Sequence, residues 1–167
     1  VQRGSKIKNS LKDFYESLLD TKLYIVHRLD KDTSGLMIFA KHRSAASKMS
    51  KLFKENLIKK YYIAVTQKKF SKRSGYLIDK NIDEKTLKLF YRQINFNNFK
   101  NCFLVRLITG KKHQIRLQFY INNNPIIGDK KFTNNTSDTL LLSSVSIKFY
   151  YDKIFYNFKL SLAQIFL

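Results

Sequence analysis

Residues 27–35 read HRLDKDTSG. Two carboxylates, Asp30 and Asp32, alternate with Arg28 and Lys31, behind His27 and ahead of Ser34-Gly35. A carboxylate can act as a nucleophile or a general base, and a nearby guanidinium keeps it ionised. In an extended segment Asp30 and Asp32 share a face, so spacing alone does not choose between them. Three more segments carry chemistry-bearing side chains. KYYIAV (residues 60–65) sets two tyrosines on a strand, where neighbours point to opposite faces and only one can line a pocket. GKKHQIR (residues 110–116) places His113 three residues before Arg116, on one face of an expected helix. PIIGD (residues 125–129) follows shortly after. These four segments hold Gly35, Gly110, Gly128 and Pro125, which are three of the five glycines and the only proline. In a chain so poor in both, the survivors mark places where the backbone needs them.

These segments must be held by elements, and the hydrophobic patterning proposes them. A helix is expected over Ser10 to Leu19, with Leu11, Phe14, Tyr15 and Leu18 on one face. Strands are expected at Leu23 to Val26 and Leu36 to Lys41, on either side of the charged segment. Ser44 to Leu57 has the pattern of an amphipathic helix, and Tyr61 to Thr66 that of a strand. After a basic loop at 67–75, strands follow at Tyr76 to Ile82, Leu87 to Phe96 and Cys102 to Thr109. Lys112 to Ile121 reads as a helix, ended by the asparagines before Pro125. Ser143, Val145, Ile147 and Phe149 alternate as on one strand, and another strand is expected near Ile154 to Leu160. The order implies a mixed α+β domain rich in antiparallel strands.

The 167 residues suit one domain, residues 1–167. Lys and Arg number 32 against 12 Asp and Glu, a net charge of +20. Such an excess points to a polyanionic partner, with nucleic acid ahead of anionic membrane. Only seven of the 32 are Arg, so compositional drift toward Lys contributes. The basic residues are spread over strands and loops and not along one amphipathic helix, which weighs against a membrane-surface role. A single cysteine, Cys102, permits no internal disulfide and fits a reducing compartment such as the cytoplasm. Three histidines and one cysteine without HxxxH or CxxC spacing propose no metal site. No signal peptide or spanning apolar run is visible.

Together the four segments resemble the RluA family of pseudouridine synthases, the branch that holds the large-subunit rRNA enzymes. HRLDKDTSG fits that family's H-R-L-D-x-x-T-S-G motif, KYYIAV its K-x-Y-x-A-V strand, GKKHQIR its G-[RK]-x-H-Q-[IL]-R segment and PIIGD its P-[IL]-x-G-D segment. The likeness covers most of residues 20 to 130. It implies the pseudouridine synthase fold, a mixed, mainly antiparallel sheet flanked by helices, with a catalytic cleft. It also implies isomerisation of uridine to pseudouridine in RNA. That net isomerisation calls for no cofactor, metal or ATP.

The resemblance further implies roles. Asp30 is the catalytic carboxylate, Arg116 its arginine partner and Tyr62 the active-site tyrosine. Arg28 fills the gap left by a flipped-out base, a step that costs a few kcal/mol. Thr33, Ser34 and Gly35 form the turn that aims Asp30. His27, Lys31, Lys60, Lys111, Lys112 and His113 are expected to contact RNA; taken singly, such a lysine is more often a solvated charge. The target is expected to be 23S rRNA, with tRNA as the alternative within the same chemistry and a non-catalytic RNA binder as the alternative outside it. A monomer is expected. The chain is expected to begin after the family's K-P-x-G strand, hence to be incomplete at the N-terminus, and to carry no S4-type domain. It departs from the family pattern at Asn123-Asn124, at Phe132-Thr133 and at Leu140-Leu141-Leu142-Ser143-Ser144.

Overall fold

The structure, a computed structural model, describes residues 10–133 and 139–166; of Leu162 only the backbone is described. Helix α1 spans Leu11–Leu19. Ser10 caps it, with Asp13 returning a bond to the Ser10 backbone, which satisfies two N–H groups the first turn leaves free. Strand β1 (Tyr24–Ile25) pairs antiparallel with β3 (Phe39–Ala40). Between them lie the charged segment and β2 (Ser34–Gly35). Helix α2 covers Arg43–Lys54. It ends before the expected Leu57 because Asn56 takes a left-handed φ of 56°, a common helix stop.

Strands β4 (Lys59–Val65), β5 (Ser74–Lys80), β6 (Thr86–Phe96) and β7 (Phe99–Leu107) follow. Helix α3 (Gln114–Ile121) comes next, then β8 (Leu142–Tyr151), β9 (Ile154–Lys159) and a short 3₁₀ turn at Leu162–Gln164. The main sheet runs β2-β8-β4-β7-β6-β5, and β9 also pairs with β8. All its pairings are antiparallel except β2 with β8.

One irregularity decides which side chains face the cleft. The β4–β8 register shifts between Tyr61 and Tyr62, which pair with Ser146 and Ser144. Val145 is the extra residue, and one bulged residue reverses the alternation of the strand beyond it. Hence Ser143, Val145, Ile147 and Phe149 do not share a face, as their spacing suggested. Val145 packs with Ile63 and Val65 on one side of the sheet. Ile147 and Phe149 pack with Met49 and Ile58 beneath α2 on the other. On that same side, Ile115 and Phe119 of α3 pack on Tyr62, Ala64, Phe103 and Val105. Both α2 and α3 therefore cover one face and leave a gap between them.

Candidate active site

The charged segment spans that gap. It turns tightly: the Thr33 N–H donates to the Asp30 carbonyl at 3.0 Å. The turn thus falls on residues 30–33, ahead of the expected Thr33-Ser34-Gly35. Ser34 and Gly35 instead form β2 and lie parallel to Ser143 and Ser144. Gly35 has φ +104°, and a Cβ there would strike the Ser144 carbonyl oxygen. Only glycine lets the segment lie this close to β8. At the other end the His27 ring stacks on Phe53, centroids 4.4 Å apart. Its Nε2 accepts the Ile38 N–H at 2.9 Å. This tie joins the two ends of the segment.

Leu29 points into the core, Arg28 is exposed, and Asp30 is 18% exposed. The turn separates the two carboxylates, since Asp32 is solvent-exposed and lies outside the cleft lining. The cleft holds about 270 Å³, enough for a nucleobase, and is lined by His27, Arg28, Asp30, Lys60, Tyr62, Lys111 and His113 among others. Tyr61 points to the opposite face of the sheet. Lys31 and Lys112 are exposed beside the cleft and do not line it. Lys60 is half-buried, 5.9 Å from the Phe53 ring centroid, and burial lowers its pKa.

Arg116 is 4% exposed, and two of its three nitrogens are already engaged. Nε donates to Asp129 Oδ2 at 2.9 Å and Nη2 to Asp129 Oδ1 at 2.6 Å. Only Nη1 faces Asp30, at 4.0 Å from Oδ2. The arginine therefore acts on Asp30 by charge, while Asp129 fixes its plane. Its pKa is raised, first by the bond to Asp129. Asp129, 1% exposed, is held in turn by the Lys131 and Phe132 N–H groups. Asp129 lies in the PIIGD segment, whose spacing alone assigns it no role. A buried acid two residues beyond an Ile-Ile pair was the signal available, because buried charges need partners.

His113 is not part of α3, as the expected start at Lys112 had it. It is the N-cap residue, with a left-handed φ of 53°. Its ring still converges with Arg116 on the catalytic segment, with Nδ1 3.0 Å from Asp30 Oδ2. The pair lacks hydrogen-bond alignment, so it is a close contact without a bond. Behind it, Gln114 accepts from the Thr109 hydroxyl and the Lys111 N–H and donates to Gln118. Gln118 donates to Asp79 of β5. These buried amides, of which only Gln114 lies in one of the four motif segments, pin the start of α3 to the sheet. Among the described residues no cluster of three or more His, Cys, Asp or Glu side chains could hold a metal.

Burial lowers the His27 pKa to about 4, with the Lys60 charge adding to it. Between pH 6.5 and 4 the unfolded chain takes up a proton that the native ring refuses. Stability therefore falls with pH across that window. The loss is about 3 kcal/mol relative to His27→Gln, as 2.5 units at 1.36 kcal/mol each imply. Urea unfolding of both proteins at several pH values checks this; parallel pH profiles would disprove the tie at His27.

Residues 4–120 match the RNA pseudouridylate synthase family, to which the chain belongs. A Mycoplasma capricolum protein named an uncharacterized RNA pseudouridine synthase is 35% identical, over 81% of this chain and 51% of that one. Ribosomal large subunit pseudouridine synthase C of Rickettsia bellii is 36% identical, again over 81% and 51%. The chain thus spans about half the length of these curated relatives. Human RNA pseudouridylate synthase domain containing 4 superposes with a TM-score of 0.78 at 19% identity, over 93% of this chain and 78% of that one. The human domain containing 1 gives 0.73 at 18% identity, over 83% and 69%. At those identities the likeness is one of fold, and the α+β, mainly antiparallel architecture agrees with it.

Proposed function

We propose that the protein isomerises specific uridines to pseudouridine in RNA, with ribosomal RNA of the large subunit as the substrate. The observation that carries this reading is the position of Asp30. It stands at a base-sized cleft that Tyr62 also lines, beside a clamped arginine. The relatives named for the large ribosomal subunit support the choice of RNA.

The reaction breaks the N1–C1′ bond, joins C5 to C1′, releases the C5 proton and returns one proton to N1. Atoms balance without an oxidant or a carrier. Asp30 serves as nucleophile or base at the sugar or the uracil ring. Arg116, its plane fixed by Asp129, sets a positive charge 4.0 Å from it. Arg28 takes the space of the departed base, and Lys60 and Lys111 meet phosphates. Burial holds the Tyr62 hydroxyl up at about 12, so at neutral pH the phenol is protonated. Its ring therefore acts first by stacking on the uracil, worth about 1–3 kcal/mol per base. Tyr62→Leu is expected to weaken binding of a short target hairpin by that amount, and Tyr62→Phe to preserve it, by fluorescence anisotropy. Equal losses in both variants would assign the binding to the hydroxyl and not to the ring.

Reverse-transcription mapping of pseudouridine in rRNA and tRNA, with and without the gene, tests the function. Sites in large-subunit rRNA that vanish on deletion support the reading. Loss confined to tRNA moves the substrate, and no change in either leaves a non-catalytic RNA binder.

A further inference from the structure

The sheet's second face carries nothing that the cleft uses. Part of it is closed by the C-terminal segment, where Ile165 and Phe166 pack on Phe96, Phe99 and Cys102. The rest is open. There Tyr61, Arg106, Phe90 and Tyr76 stand in one row across β4, β7, β6 and β5, each paired directly with the next. Leu104 and Arg92 form a second rank beside it, and the two ranks line a shallow depression of about 310 Å³. Tyr76 is 54% exposed. Every ring in the row carries a cation: Lys148 lies 5.3 Å from the Tyr61 centroid, Arg106 5.9 Å from Phe90 and Lys88 5.3 Å from Tyr76.

None of Lys88, Arg92, Arg106 and Lys148 has an acidic partner among the described residues. The Arg106 Nε is buried without an acceptor. Cross-strand aromatic pairs often do no more than stabilise a sheet. That role needs neither four unpaired cations nor an exposed ring. A row of rings on a β-sheet face, ringed by unpaired positive charge, matches what unpaired nucleotides require: flat surfaces for bases and donors for phosphates.

We propose that this face binds a single-stranded RNA segment distinct from the one in the cleft. Its bases stack on Tyr76 and the neighbouring rings, and its phosphates meet Arg92, Arg106, Lys88 and Lys148. The inference rests on RNA being the substrate of the cleft. It adds a second point of attachment on the opposite side of the sheet, which raises affinity for RNA with an unpaired flank.

The test uses an oligoadenylate, which offers the cleft no uracil, and measures its binding by fluorescence anisotropy. The double variant Tyr76→Ala/Arg92→Ala changes two exposed residues, and its thermal midpoint is compared with the parent's. The expected result is an affinity about tenfold lower or worse with an unchanged midpoint, and photo-crosslinks from the parent mapping to Tyr76 or Phe90. Unchanged affinity, or crosslinks confined to the cleft, overturns the second site and leaves the proposed activity standing. If the parent binds oligoadenylate no more tightly than an acidic peptide of equal charge, this face is a protein-docking surface and the proposal fails. If the parent binds neither oligoadenylate nor a uridine-containing hairpin, the reading of the cleft falls as well.

Discussion

Replacing Asp30 by Asn lowers turnover by about 10³-fold or more and leaves RNA affinity within a few-fold of the parent. The magnitude follows from the role. Groups that move protons in a transition state contribute about 10²–10⁴-fold, and a nucleophile has no substitute at all once its charge is gone. Asn keeps the shape of the side chain, so the turn closed by the Thr33 N–H is preserved. The substitution removes one negative charge beside His113 and Arg116, and the polyanion meets a more positive cleft. Affinity therefore holds or rises slightly. The matched control is Asp32→Asn, which changes an exposed carboxylate outside the cleft lining and is expected to keep turnover near that of the parent. Single-turnover kinetics on one RNA, with binding measured separately, distinguishes the two. Comparable losses in both variants would remove the special position given to Asp30.

The second large effect is structural in origin and catalytic in outcome. Asp129→Ala leaves the Arg116 guanidinium buried without its partner. Breaking a buried pair in this way costs about 3–5 kcal/mol. For a chain of this size each kcal/mol shifts the midpoint by about 2–4 °C, so the melting temperature is expected to fall by roughly 6–20 °C. The freed guanidinium can also turn toward Asp30, whose Oδ2 lies 4.0 Å from Nη1, and pull it from the cleft. The double variant Arg116→Met/Asp129→Leu separates these consequences. Apolar replacements of similar size can restore much of the stability, but they cannot restore charge beside Asp30. Recovered melting temperature with lost turnover is the expected pattern. Recovered turnover would show that the pair serves the fold alone.

How far the site could be read from the chain depends on which interactions are local. The Asp30 segment was legible because nine consecutive residues carry it; alternation separated Tyr61 from Tyr62, and the resemblance to the K-x-Y-x-A-V strand chose Tyr62 as the one at the cleft. The Arg116–Asp129 clamp was half legible: both residues stood in quoted segments, but their pairing needs a chain path no spacing reveals. His113 was expected on the face of Arg116, and both side chains do reach Asp30 Oδ2; helix periodicity missed that His113 stands outside the helix, as its left-handed N-cap residue. His27 does line the cleft; its tie to the Ile38 N–H and to Phe53 was not legible, because those partners lie eleven residues on and in α2. The bulge at Val145 similarly overrode a clean period-two pattern in β8. The row of Tyr61, Arg106, Phe90 and Tyr76 was invisible for the same reason: it exists only once four strands take their register.

On the proposed function, Asp30 drives conversion of uridine to pseudouridine. Joining C5 to the sugar must expel the C5 hydrogen, so the direct measurement is tritium released from RNA carrying 5-³H-uridine. The protein is expected to release tritium from large-subunit rRNA, and the Asp30→Asn variant to release none above background while still binding the RNA. Equal release by both proteins, or none by the parent under conditions where it binds, would contradict the account.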